Sequence, residues 1–495
     1  MSPEGVPQGP ASPHVSGSPQ ELASPQGPGP FHHPDPASSS AGGSAFARLL
    51  DRQGISRTLA WGFLALMLFM VGDGIELSFL SNHLTELGFG GGRVALLFTT
   101  YGIVVAVAAW LAGALAESWG PRRVMLAGGI IWIVFEVVFL LLGVMPGNYP
   151  VMILAYSVRA VGYPFFAYGF LVWVTMETPD RVMGKAVGWY WFFNAMGLGV
   201  ISGYFVAIVV EPWGALGTLW SSLVFVALAT LMVAVLIRSR PGASRMSREQ
   251  TVRGLVTSVT IMAERPKVAL GGLLRIINTM SYYSFAVFLG VYMVGTVGFS
   301  QAQWSSIWGT MLFANVLANV ISGYASDLCG RLNVIAWGGG FATAITVLGF
   351  YYVPQGLGAN YPVVLVLGIV YGLALGMYVP LSAVVPLLAP QNKAAAVAVL
   401  NLGAGLSNFV GPAIAGLVPL MGVAPVVWVL AAIYLVGLFL TFLLREPGIE
   451  APRIERKRTS AEGITSSGRA HAAGAEAIAS GGAGAPAEAK SALRQ

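Results

Sequence analysis

Apolar runs of about twenty residues, parted by short polar turns, recur along the chain from residue 58 to residue 444. About 20 residues at 1.5 Å rise cover a hydrocarbon layer about 30 Å thick, so each run predicts a membrane-crossing helix. Twelve are expected, at 58–81, 94–116, 123–144, 151–175, 184–209, 215–237, 268–293, 303–325, 332–353, 361–387, 394–418 and 424–444. The runs are too long for tilted barrel strands and lack their alternation. The expected fold class is therefore an all-α membrane protein, with twelve transmembrane helices in two six-helix halves.

Between and around the runs the pattern changes. Residues 1–56 are rich in Pro, Gly and Ser, carry no apolar block and are expected to stay unfolded on the cytosolic side. No charged n-region followed by a short apolar core is present, so no cleaved signal peptide is expected. Residues 57–237 and 268–445 form the expected halves, joined by a cytosolic linker at 238–267. In that linker Val252, Leu255, Val256, Val259, Met262 and Ala263 share one helical face, with Arg248, Arg253 and Arg265 on the other. Such a helix lies on the inner leaflet or packs beneath the membrane domain. The tail at 446–495 is rich in Ala, Gly and Ser, with a basic cluster at Arg453, Arg456, Lys457 and Arg458 suited to anionic lipid.

Composition agrees: 56% of the 495 residues are hydrophobic, 10% are charged, and the mean hydropathy is +0.72. A net charge of +6 does not point to nucleic acid, because the basic residues sit in loops and tails. Arg122, Arg123, Arg181, Lys185, Arg331 and Lys393 follow even-numbered spans, whereas only Arg93 follows an odd one. The positive-inside rule then puts both termini in the cytosol of a multi-pass plasma-membrane protein. The single Cys329 excludes an internal disulfide and a Cys-based zinc site, and the adjacent His32 and His33 read as solvated. No metal or cofactor is expected, and no Ser/His or Cys/His set supports an enzyme.

The halves repeat each other. Gly113, Glu117 and Gly120 after the second span align with Gly323, Asp327 and Gly330 after the eighth, at an offset of 210. Asn148-Tyr149-Pro150-Val151 returns as Asn360-Tyr361-Pro362-Val363, at an offset of 212. Two matches at nearly one offset predict parallel six-helix repeats with the solute site between them.

The twice-repeated Gly-x-x-x-acid-x-x-Gly motif, with Arg122 and Arg331 following, resembles the loop signature of the major facilitator superfamily. The first copy departs from it, with Glu117 for the usual Asp and Pro121 where a basic residue is common. The resemblance implies that Glu117, Arg122, Asp327 and Arg331 hold an inner gate. Sugar-porter and drug-antiporter signatures are missing. Gly72-Asp73-Gly74-Ile75-Glu76, the run from Arg159 to Trp173 and the run from Ala186 to Phe192 are similar instead to the bacterial polyol permease family. That similarity implies proton-coupled uptake of a pentitol such as ribitol or D-arabinitol, with the proton as coupling ion. An efflux antiporter and a transporter-like sensor remain the alternatives.

Charges inside the spans are the candidate chemistry. Asp73 and Glu76 stand at i and i+3 in the first span, where a charge costs at least about 2.5 kcal/mol unless it faces water or a partner. Arg159 lies about 13 Å down the fourth span, at a depth matching Asp73, which predicts an Asp73–Arg159 pair or a water-linked network between them; Asp73, Glu76 and Arg159 are the proton-coupling candidates. Glu136 in the third span reads as a structural, hydrogen-bonded carboxyl, and Arg275 in the seventh as snorkelling or meeting a partner across the cavity. Glu76, Tyr163, Trp191, Asn194, Asn278, Tyr282, Tyr283, Asn315 and Asn401 are the solute-binding candidates, because amides and aromatic walls suit an uncharged polyhydroxylated solute. A monomer is expected.

Overall fold

The computed structural model describes residues 55–179, 182–237, 256–257 and 259–446. The expected tails, Arg181, Arg248, Arg253 and the basic cluster from Arg453 to Arg458 lie outside the described residues. Among those described, every element is helical. The spans run Thr58–Ser78, Gly91–Trp119, Pro121–Val144 and Tyr149–Glu177, then Lys185–Val235. After the linker they continue as Pro266–Val297, Gln301–Cys329, Arg331–Leu357, Tyr361–Leu388, Ala395–Met421 and Val423–Phe442. Lys185–Val235 is two crossings, since 51 helical residues would reach roughly 77 Å, more than twice the hydrocarbon thickness. It turns after Pro212, at Gly214, whose φ of 69° and ψ of 171° leave the helical region. The total is twelve spans among the described residues.

Local geometry repeats with the motifs. Gly120 and Gly330 end the second and eighth spans with φ of 96° and 86° and ψ of 136° and 142°, a conformation side chains resist. Asn148 and Asn360 cap the fourth and tenth spans with φ of −84° and −78°, each side chain accepting a backbone N–H three residues on, with Pro in the first turn. The repeat is thus one of backbone conformation as well as of letters. Large apolar side chains such as Ile208, Val224 and Phe439 stand outward, as the lipid-facing surface of a bundle requires.

Two spans break where the charges lie. The first is α-helical over Arg57–Gly74, tightens to a 3₁₀ turn over Ile75–Ser78, and resumes as Leu80–Glu86. The fourth is split into Tyr149–Arg159 and Gly162–Glu177. Arg159 therefore stands at the carboxyl end of a half-helix, where exposed carbonyl dipoles favour a cation.

The membrane domain has a face that carries both Gly-x-x-x-acid-x-x-Gly loops and a far face opposite. Contacts joining the halves gather toward the far face. Asn82 donates to Gln301 at 2.5 Å, Gln301 donates to the Ser78 carbonyl at 3.0 Å, and Ser305 to the Ser78 hydroxyl at 3.3 Å. Deeper, Tyr204 meets Thr310 at 2.8 Å, and the fifth and eighth spans approach so closely that a Cβ on Gly203 would lie 2.8 Å from the Gly309 backbone. At the motif face, Gly113, Gly188 and Gly323 have open space where a Cβ would point.

Candidate functional site

Arg159 is the centre of a buried ionic cluster. Its Nη2 donates to Glu76 Oε2 at 2.7 Å, and its Nη1 bonds both Glu76 Oε1 and Glu136 Oε2. All three side chains are 1% exposed or less. Four rings close round the guanidinium: Tyr156 at 4.5 Å, Trp132 at 4.7 Å, Tyr101 at 5.8 Å and Phe139 at 6.0 Å. Cation–π attraction and two carboxylates together offset the cost of taking this charge out of water.

Asp73 is not the partner of Arg159, contrary to the expected pair. Its Oδ1 accepts from Trp132 Nε1 at 2.8 Å and from Tyr101 Oη at 3.4 Å. The depth count takes a first helix ending near residue 81, but the chain stays helical to Glu86. Glu76 is then as far from that end as Arg159 is from the start of the fourth span at Tyr149. The 3₁₀ tightening after Gly74 turns Glu76 into the guanidinium and leaves Asp73 facing the third span. Glu136, expected to be a structural, hydrogen-bonded carboxyl, is hydrogen-bonded, and its partner is that guanidinium.

Next to the cluster, Asp73, Tyr101, Tyr156, Arg159 and Tyr163 from one half and Tyr283, Asn408 and Pro412 from the other line a cavity of about 30 Å³. That is room for about two water molecules. Asp73 is 7% exposed, and it is the carboxylate of the cluster that lines this space.

Other candidates are distributed unevenly. Tyr163 and Tyr283 line the cavity. Tyr282 is buried beside it, stacked on Trp308 at 4.9 Å. Asn278 is buried below it, and the amide assignment that satisfies its neighbours has the oxygen accepting from Arg275 Nη1 at 2.6 Å and the nitrogen donating to the Leu375 carbonyl at 3.3 Å. Asn315 donates to the Gly372 carbonyl at 3.4 Å, within the second half. Asn194 is buried in the fifth span, while Trp191 and Asn401 are half-buried, and none of the three lines the cavity. Tyr101, Trp132 and Tyr156 escaped the sequence reading, although Trp132 stands one helical turn before Glu136 and so shares its face.

At the motif face, Arg122 donates to the Val233 and Ala234 carbonyls at 3.3 and 2.7 Å, a helix-end contact inside the first half. Glu117, Asp327 and Arg331 are half-buried. The contacts of Arg122 thus tie the second-to-third-span loop to the end of the sixth span, within one half.

The chain matches the Major Facilitator Superfamily family model over residues 62–273 and 271–489. It is 39% identical over 401 residues to the alpha-ketoglutarate permease of Bacillus subtilis (strain 168), covering 81% of this chain and 92% of that protein. It is 36% identical over 402 residues to the ribitol transporter of Klebsiella pneumoniae, covering 80% of this chain and 94% of the other. The crystal structure of a mutant of the nucleoside transporter NupG superposes with a TM-score of 0.63 at 14% identity, covering 79% of this chain and all of that one. Twelve helices, two copies of one backbone motif and a charged cavity between the halves thus meet a family match that spans both halves: this chain belongs to the Major Facilitator Superfamily and is a multi-pass membrane transporter.

Proposed function

We propose that the protein takes up a small polyhydroxylated solute, of which pentitols such as ribitol are the neutral members, in symport with a proton. The observation that carries this reading is the charge balance of the cluster. Three buried carboxylates, Asp73, Glu76 and Glu136, face one guanidinium, Arg159. Fully ionised, the cluster would hold two negative charges in excess out of water, at several kcal/mol each. Each proton taken up removes one of those two charges.

Glu76 is bonded through both oxygens to Arg159, and Glu136 is sealed from solvent, so Asp73 is the exchangeable carboxyl. Its position at the cavity supports a proton carried beside the solute. Tyr163, Tyr283 and Asn408 offer hydroxyl and amide groups to the solute there. The positive-inside rule makes the motif face cytosolic, since Arg122, Arg123, Lys185, Arg331 and Lys393 lie on it. With the far face closed by Gln301, Asn82 and Ser78, this conformation is the inward-facing one, its solute site contracted. A proton on Asp73 cuts the excess to one negative charge, and with solute bound this lowers the barrier to rocking back.

Similarity to the ribitol transporter supports the polyol class. The test is to add ribitol to right-side-out vesicles in weak buffer: an alkaline shift outside is expected only with solute present. Ribitol entry with no accompanying proton movement would overturn the symport reading.

A further inference from the structure

Among the described residues, Arg275 in the seventh span is an intramembrane cation that the cluster does not use. Among the described residues no carboxylate pairs with it. It is partly exposed, and its stem lies against the eleventh span, where a Cβ on Gly403 would come within 3.1 Å of Arg275 Cβ. The head does not run along the helix to the headgroups. Nη1 is drawn inward to the Asn278 amide at 2.6 Å, and Tyr168, Tyr283 and Tyr163 act on the guanidinium electrostatically. Tyr163 and Tyr168 belong to the opposite half, so the guanidinium looks into the seam where a solute must pass. Tyr163 and Tyr283 also line the cavity at Asp73, which makes the two sites neighbours.

The fork is held in place. Tyr434 donates to the Asn278 carbonyl at 2.9 Å and bonds Ser281 at 2.6 Å, and Ser281 bonds Tyr371 at 2.8 Å. A guanidinium presents five N–H donors, of which Asn278 uses one; the planar fork left over matches a carboxylate. We propose that Arg275 with its tyrosine fringe is a carboxylate subsite, and that the preferred cargo is a polyhydroxylated monocarboxylate, an aldonate, over the neutral polyol of the same length. This rests on the polyhydroxylated-solute reading above and narrows it.

The experiment is titration calorimetry on the purified full-length protein with three five-carbon probes: D-ribonate, ribitol and alpha-ketoglutarate. The wild type is expected to bind ribonate at least about tenfold more tightly than ribitol, as a charge-assisted pair adds to shared hydroxyl contacts. Arg275→Gln should bring that ratio close to one, while Arg275→Lys keeps part of it. Ribitol binding as tightly as ribonate in the wild type overturns the subsite without any variant, and so does an unchanged ratio in Arg275→Gln. If neither hydroxylated probe binds, the polyhydroxylated reading itself fails and the aldonate proposal with it. Alpha-ketoglutarate binding alone, lost in Arg275→Gln, would overturn the hydroxylated class while keeping the carboxylate subsite.

Discussion

Replacing Asp73 by Asn tests the coupling step with little disturbance of the fold. Asn keeps a carbonyl oxygen where Asp73 Oδ1 accepts from Trp132 Nε1 at 2.8 Å and from Tyr101 at 3.4 Å. The change exchanges a charge-assisted bond for a neutral one and removes a desolvated charge, so stability should move by only about 1 kcal/mol. The functional effect is larger. Ribitol moving with one proton carries one positive charge inward, and 100 mV acting on that charge supplies about 2.3 kcal/mol, which corresponds to about fiftyfold accumulation. Without an exchangeable proton at residue 73 this drive vanishes and the ratio falls to one. The assay is labelled ribitol uptake into proteoliposomes under a potassium diffusion potential, negative inside, beside equilibrium counterflow in the same vesicles. Asp73→Asn should abolish accumulation and keep counterflow. Accumulation at the wild-type level would refute the reasoning, and the coupling proton would then belong to Glu76 or Glu136.

Two further outcomes follow from the same geometry. Arg159→Met should destabilise the protein by about 3–5 kcal/mol by stranding buried carboxylates, and adding Glu76→Gln with Glu136→Gln should recover most of it; thermal unfolding in detergent checks this, and a single Arg159→Met variant as stable as wild type would contradict the cluster. Cys329, the chain's single cysteine, is exposed at the motif end of the eighth span, so a membrane-impermeant maleimide should label inside-out vesicles and spare right-side-out ones, and the reverse pattern would invert the proposed orientation.

Much of the architecture is readable from residue order. Length and apolarity set the spans, and Gly120 and Gly330 betray the repeat because a backbone with positive φ needs glycine in both halves. The partners of the buried charges are not readable in this way. Asp73 and Glu76 stand three residues apart, and which of them meets Arg159 depends on a local switch from α to 3₁₀ geometry after Gly74. A rise of 1.5 Å per residue does not resolve that switch. The role of Glu136 is hidden for a related reason: its importance comes from Trp132 and Arg159 converging on one point, and sequence distance carries no trace of that convergence. The amide candidates divide because asparagines also serve helices locally. Asn315 donates to the Gly372 carbonyl of a neighbouring span, while Asn408, which lies outside the candidate set, lines the cavity and donates to the Ala404 carbonyl of its own helix.

The repeat makes the chemistry of the halves comparable position by position. At the offset of the Asn caps, Arg159 corresponds to Tyr371. In the first half this place holds a cation, with carboxylates arriving from the first and third spans. In the second it holds a neutral hydroxyl bonded to Ser281, and the network continues through Tyr434 and Asn278 to Arg275. One backbone frame thus carries an acidic half and a hydroxyl-rich half that ends in a cation. If the cargo is an aldonate, its charge and the proton's cancel, so the loaded carrier crosses with no net charge added. Membrane potential should then drive ribitol and leave ribonate indifferent, while a pH gradient drives both. A division of labour between the halves gives that asymmetry, which a symmetric site with acids or cations on both sides would not produce.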